Sequence, residues 1–179
     1  MVRDRIAHMP HTVRLHSLLS LLLFLAAPAV RAQNAPSAAP CPATPTLDKL
    51  IAALDAAVSG PANKDRTCMR QLLLPEARLI PVSPAGTLRV LTVDDWIAAV
   101  AKRGADAFYE VQVRHPSDSY GRIAQLWSTY DIRPTPDGKP EARGINSIQA
   151  VFDGQNWKVV EIVWQAETPQ TPIPGKYLP

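Results

Sequence analysis

The sequence is most informative first in what it lacks. It has two cysteines, Cys41 and Cys68, and four histidines, of which only His115 lies beyond residue 32. With no cluster of carboxylates to join them, these residues fail the ligand spacing of a structural or catalytic zinc site, and no metal is expected. No Gly-x-Ser-x-Gly elbow, phosphate-binding loop or dinucleotide fingerprint occurs, which argues against hydrolase, NTPase and dehydrogenase chemistry and leaves no cofactor implied. No apolar run reaches the roughly 20 residues that cross a bilayer. The longest, Leu18–Ala27, is shorter and is followed by Arg31.

That run has its own reading. Arg3, Arg5 and Arg14 precede it, and Val30-Arg31-Ala32 places small residues before Gln33, the three-part layout of a secretory signal peptide cut near Ala32–Gln33. Met9 is an alternative start. Export to a periplasm or to the outside, with no membrane association after cleavage, is the expectation. Four of the 19 basic residues and one of the 16 acidic residues lie in 1–32, so 15 of each remain beyond it. The basic pI belongs largely to the leader, and the nucleic-acid footprint that it suggests goes with it. In an oxidising compartment the two cysteines either pair or stand as a buried small hydrophobe (Cys68) and a thiol on a tail (Cys41); spacing does not choose between these.

The remaining chain suits one domain. Residues 33–46, rich in Ala, Pro and Ser, read as a flexible arm. Leu47, Leu50, Ile51, Leu54 and Val58 recur at helical spacing behind Thr46 as N-cap, and Ser59-Gly60-Pro61 stops that helix. Asp65–Leu73 reads as a shorter helix, Ala77–Pro81 as a strand and Arg89–Leu91 as a brief second one. Thr92 to Asp95 approximates a capping box opening a third helix, ended by Gly104. From Ala107 the period becomes two, with strands over Phe108–Arg114, Ile123–Arg133, Ala142–Phe152 and Trp157–Gln165, and an Asp153-Gly154 hairpin turn. Helices first and hairpin-linked strands after them predict an α+β domain over 47–167 with an antiparallel sheet, followed by a Pro-rich tail, 168–179.

The pieces A-L-D-A-A-V-S-G, V-D-D-W-I, Y-G-R-I-A-Q-L-W-S-T-Y-D and R-G-I-N-S-I-Q-A-V-F-D-G-Q-N-W-K-V-V-E-I-V-W, in this order over Leu47–Glu167, resemble the nuclear transport factor 2-like superfamily, and more closely its SnoaL-like, secreted bacterial branch. The resemblance implies a cone of three helices wrapped by a strongly bent sheet, a pocket at the open end, and frequent homodimers through the sheet's outer face. Members of that superfamily include ketosteroid isomerases, dehydratases, polyketide cyclases and non-catalytic binding domains, so the resemblance carries the fold and leaves the chemistry open.

Alternation sorts the strand residues into two faces. Ala124, Leu126, Ser128, Tyr130, Asn146, Ile148, Ala150, Phe152, Val160, Ile162 and Trp164 are expected inside. Gln125, Trp127, Thr129, Asp131, Ser147, Gln149, Val159, Glu161 and Val163 are expected outside, on a dimer surface. Ser128, Tyr130, Asn146 and Trp164 are therefore the candidate ligand-binding groups, either orienting a mostly apolar ligand or simply satisfying one another in the core. Arg143 is either a carboxylate clamp at the pocket mouth or a rim salt bridge to Glu141 or Asp131. Acid–base chemistry would need a carboxylate or histidine inside the pocket, for which Glu110 and His115 are the weak candidates; Asp94 and Asp95 are explained by the helix dipole. The leading expectation is a non-catalytic binding module for a small apolar or amphipathic molecule. The alternatives are a cofactor-independent isomerase, dehydratase or cyclase, and a protein-interaction domain acting as a dimer.

Overall fold

The computed structural model describes residues 40–103 and 106–179. The expected leader and cut site, the first half of the expected arm, and Gly104 lie outside the described residues. Among the described residues, three α-helices, α1 (Leu47–Val58), α2 (Cys68–Leu72) and α3 (Val93–Ala101), pack on a seven-stranded sheet. Its strands are β1 (Gly60–Pro61), β2 (Leu73–Val82), β3 (Ala107–Arg114), β4 (Ser117–Tyr120), β5 (Ile123–Arg133), β6 (Ala142–Phe152) and β7 (Trp157–Ala166). They run β1-β3-β5-β6-β7-β2, with β4 beside β5, in a curled half-barrel.

The caps act as the residues dictate. The Thr46 hydroxyl accepts from the Lys49 N–H at the start of α1, and Thr92 and Asp95 form a reciprocal capping box on α3. The second helix starts three residues later than its periodicity suggests. The Asp65 carboxylate accepts from the Thr67 N–H at 2.8 Å, a local turn that competes with helix, and Arg66 is drawn into a cage of carbonyls. The sheet is antiparallel except at one edge, where β2 lies parallel to β7. The β2–β7 ladder breaks between Leu73 and Arg78, around Pro75, which has no N–H to offer it.

The core is one cluster in which Leu50, Leu54, Met69, Leu72, Leu79, Leu126, Ile148 and Val159 are almost fully enclosed. One face assignment and one expected exposure need correction. Val159 points inward and Val160 does not, because the β6–β7 register shifts between Gln149 and Ala150, and one extra residue there flips the alternation. Thr129 and Asp131, expected on an open outer face, are buried. The chain's own tail covers them: the Thr129 hydroxyl donates to the Tyr177 carbonyl at 2.6 Å, Arg114 donates to the Lys176 carbonyl at 3.0 Å, and Tyr177 stacks on Trp127 with ring centroids 5.7 Å apart.

The arm's last residues are held rather than free. Cys41 and Cys68 form a disulfide with Cα atoms 5.2 Å apart. Thr44 is buried, with its N–H donating to the Asn156 side-chain oxygen at 2.7 Å and its hydroxyl to the Trp157 carbonyl at 2.8 Å. Replacing both cysteines with serine reopens a 27-residue loop and is expected to lower unfolding free energy by about 3 kcal/mol, checked by urea melts of the two proteins.

Candidate functional site

Sheet register builds the site. Gln112 on β3 stands opposite Tyr130 on β5; Ser128 stands opposite Asn146 on β6, and Tyr130 opposite Gly144. Glu110 and Gln112, two residues apart on β3, share a face with them. Five side chains able to form hydrogen bonds are thereby gathered across three strands on an otherwise apolar surface.

Ser59, at the C-cap of α1, pins β3 in place. Its hydroxyl donates to the Glu110 carbonyl at 3.0 Å and accepts from the Glu110 N–H at 2.9 Å. One turn earlier on α1, the Asp55 carboxylate accepts from the Gln112 N–H at 3.0 Å, while its other oxygen is buried and unbonded among the described residues.

The side chains then lock one another. The Gln112 carbonyl oxygen accepts from the Ser128 hydroxyl and, at 3.3 Å, from the Asn146 amide. That orientation turns the Gln112 NH2 towards Glu110, whose Oε1 accepts from it at 2.8 Å and from Asn146 at 3.1 Å. Two donors on Oε1 leave Oε2 without a partner among the described residues, and Oε2 is not a sealed-off atom.

In front of this network lies a cavity of about 320 Å³, near the low end of the size range of small-molecule pockets. Its walls are aliphatic (Val58, Leu79, Val100, Ile132, Ile162) and aromatic (Trp96, Phe108, Tyr130, Trp164). Glu110, Asn146 and Arg103 are the hydrogen-bonding groups added to these rings. The Arg103 guanidinium lies 4.4 Å from the centroid of Phe108, and the residue is solvent-exposed.

Burial governs the titrations. It pushes the Glu110 carboxyl up to about 7; the Asn146 hydrogen bond pulls down, Asp55 pushes up and Gln112 pulls down. It likewise pushes Asp55 up to about 6, against the pull of its bonds to Gln112 and of His115. The Tyr130 phenol is driven above its ordinary value by burial and then by Glu110, so it stays protonated at neutral pH. No hydrogen bond among the described residues uses its hydroxyl, which is not sealed from solvent.

Tyr130 also depends on a glycine. A Cβ at Gly144 would collide with the Tyr130 hydroxyl end and with the Gln165 carbonyl. Gly144→Ala is expected to cost about 1–3 kcal/mol and to displace the Tyr130 ring, read out by urea melts and by near-UV circular dichroism.

Of the residues singled out in the sequence, Glu110, Tyr130, Asn146 and Trp164 line the cavity. Ser128 sits behind it, wholly buried and bonded to Gln112. Arg143 is at a rim away from the cavity lining. Its ion-pair partner is Glu167, at 2.8 Å, rather than Glu141 or Asp131, because Asp131 turns to Arg133 at 3.2 Å. His115 is outside the cavity lining too, with its Nδ1 3.9 Å from the Asp48 carboxylate on α1. Gln112 and Asp55 are the members that sequence reading missed. Alternation from Glu110 points to Gln112 once the inward face of β3 is known; nothing in the sequence points to Asp55, whose role is set by where α1 crosses β3.

No family model matches the chain, and no curated protein matches it in sequence. Solved structures do resemble it. An NTF-2-like protein of unknown function from Silicibacter pomeroyi DSS-3 aligns with a TM-score of 0.51 at 17% identity, over 68% of this chain and 92% of that one. An NTF2-like protein of unknown function from Shewanella baltica OS155 aligns with a TM-score of 0.50 at 15% identity, over 68% and 90%. A protein of unknown function with a cystatin-like fold from Nostoc punctiforme PCC 73102 aligns with a TM-score of 0.54 at 10% identity, over 68% and 89%. The fold is the NTF2-like α+β cone.

Proposed function

We propose that this chain is an exported pocket domain that binds a small, mostly apolar molecule and orients it by one hydrogen-bonding head. The observation that carries this reading is a mostly apolar cavity with two oxygens at its wall, Glu110 Oε2 and the Tyr130 hydroxyl, that are bonded to nothing among the described residues and are not sealed from solvent. Both can bond a ligand's head in exchange for water, while the apolar walls take its body. Export rests on the charged start and apolar run of the leader, and a disulfide between Cys41 and Cys68 suits an oxidising compartment.

Native mass spectrometry of protein exported to a periplasm, compared with the denatured chain, tests this. A small-molecule mass increment on the native protein is the expected result. A bare native mass, unchanged after incubation with apolar extracts, would sink the reading. A homodimer through the part of the outer face left uncovered by the tail, where Tyr120 and Ile123 are exposed, belongs to the same proposal and is read from the same spectrum.

One observation favours a second reading, proton transfer of the isomerase or dehydratase kind. Glu110 is a carboxyl with a pKa of about 7 beside a protonated phenol, a base and a hydrogen-bond donor facing one cavity. The two groups form no hydrogen bond with each other among the described residues, and binding therefore leads. Deuterium uptake by a bound carbonyl compound, lost in Glu110→Gln, would establish the second reading; a ligand recovered without deuterium would exclude it.

A further inference from the structure

We infer that the pocket selects a ligand carrying a protonated amine on an apolar body. The inference rests on the pocket reading above and names the ligand's chemistry.

Three observations lead to it. Glu110 and Asp55 flank Gln112, one on its side-chain amide and the other on its backbone N–H, and neither belongs to an ion pair among the described residues. Second, the hydrogen bonds around Glu110 have a direction. Gln112 and Asn146 both donate to Oε1, so the network supports a carboxylate and presents its free oxygen as an acceptor. An anionic head would meet that oxygen with like charge. A neutral alcohol would satisfy one hydrogen bond and leave the charge uncompensated, whereas an ammonium supplies both the donor and the charge.

Third, the walls suit a cation with an apolar body. Trp96, Tyr130 and Trp164 line the same cavity, and the negative faces of such rings attract a desolvated ammonium. Phe108, the fourth ring of the lining, is already taken by Arg103 and Arg66, whose guanidinium carbons lie 4.4 and 6.0 Å from its centroid. Arg103 is solvent-exposed and forms no ion pair with Glu110, so its charge is screened by water and does not neutralise the carboxylate. A bare metal ion fits poorly: it needs several oxygen ligands, and among the described residues Glu110 is the only carboxylate in the lining.

The test uses matched pairs: 2-phenylethylamine against 2-phenylethanol, and cyclohexylmethylamine against cyclohexylmethanol. Each is titrated into the full mature chain at pH 8, with binding followed by calorimetry and by tryptophan fluorescence. The amines are expected to bind about tenfold more tightly than the alcohols, and the ratio should fall towards one in Glu110→Gln. Alcohols that bind as tightly as the amines would overturn the amine inference while leaving the pocket reading intact. A preference for amines that survives in Glu110→Gln would overturn it as well, since the charge would then be read elsewhere. If no member of either pair binds up to its solubility limit, the pocket reading falls and this inference with it.

Discussion

At pH 8 the Glu110→Gln protein is expected to be more stable than its parent by about 3 kcal/mol, from a shift of the carboxyl from 4.5 to about 7 at roughly 1.4 kcal/mol per unit. The sign follows from burial. A carboxyl whose folded pKa lies above its unfolded value holds its proton more tightly in the folded state. The stability this confers is complete below about pH 4.5 and is lost as the pH rises to about 7. Asp55 acts in the same direction between 3.8 and about 6. A glutamine can still accept from Gln112 and Asn146 through its carbonyl and carries no charge to desolvate. Urea melts of both proteins at pH 5 and pH 8 check the prediction: the difference should be small at pH 5 and large at pH 8. A variant less stable than its parent at pH 8 would show that the hydrogen bonds outweigh the desolvation. If the expected result is accompanied by loss of ligand binding, Glu110 is a group that lowers stability and is retained for what it does in the pocket.

The second large effect is expected behind the cavity wall, where Arg66 bonds the Val58 carbonyl and lies 6.0 Å from the Phe108 ring centroid. Arg66→Ala should cost about 3–5 kcal/mol, a loss reserved for broken buried networks. The Arg66 side chain is almost wholly enclosed and faces carbonyls instead of a carboxylate. Its Nε and Nη2 reach the Val58 carbonyl at 3.2 and 3.1 Å, Nη2 reaches Gly60 at 3.3 Å, and Nη1 reaches Pro61 and Ala62 at 3.0 Å and Lys64 at 3.2 Å. Those carbonyls end α1 and form the turn that delivers β1 to β3. The C-terminal end of a helix dipole favours a cation there, and a planar fork can meet acceptors spread around it. Arg66→Lys should recover less than half of the loss, because one compact ammonium cannot reach the same set. Urea melts of the three proteins give the values. Full recovery by lysine would mean that the charge matters and the fork does not.

Both predictions concern residues that the sequence presents unequally. Glu110 is visible as a polar residue on a strand, but its face depends on pairing with β5, and only that register puts it beside Tyr130 and Asn146. Arg66 follows Asp65 at what reads as a helix start; the cage that holds it forms because the chain doubles back after α1. Gln112 is an unremarked polar residue until Ser128 and Asn146 meet it from two other strands.

What the sequence determined alone was whatever depends on near neighbours. Thr46 and Thr92 cap their helices because a hydroxyl reaches an N–H three residues on. The β5 and β6 faces follow from a period of two, so Leu126, Ser128, Tyr130, Asn146 and Ile148 are inside as alternation requires. The order of helices and strands over Leu47–Glu167 was enough to indicate the fold. Tertiary structure alone decided the bulge that turns Val159 inward, the tail laid over Thr129 and Asp131, the joining of Cys41 to Cys68, and the meeting of Glu110 with Asp55 across Gln112. Each depends on contacts between segments far apart in the chain, where the balance of packing, desolvation and hydrogen bonding belongs to the assembled domain and to no single stretch of residues.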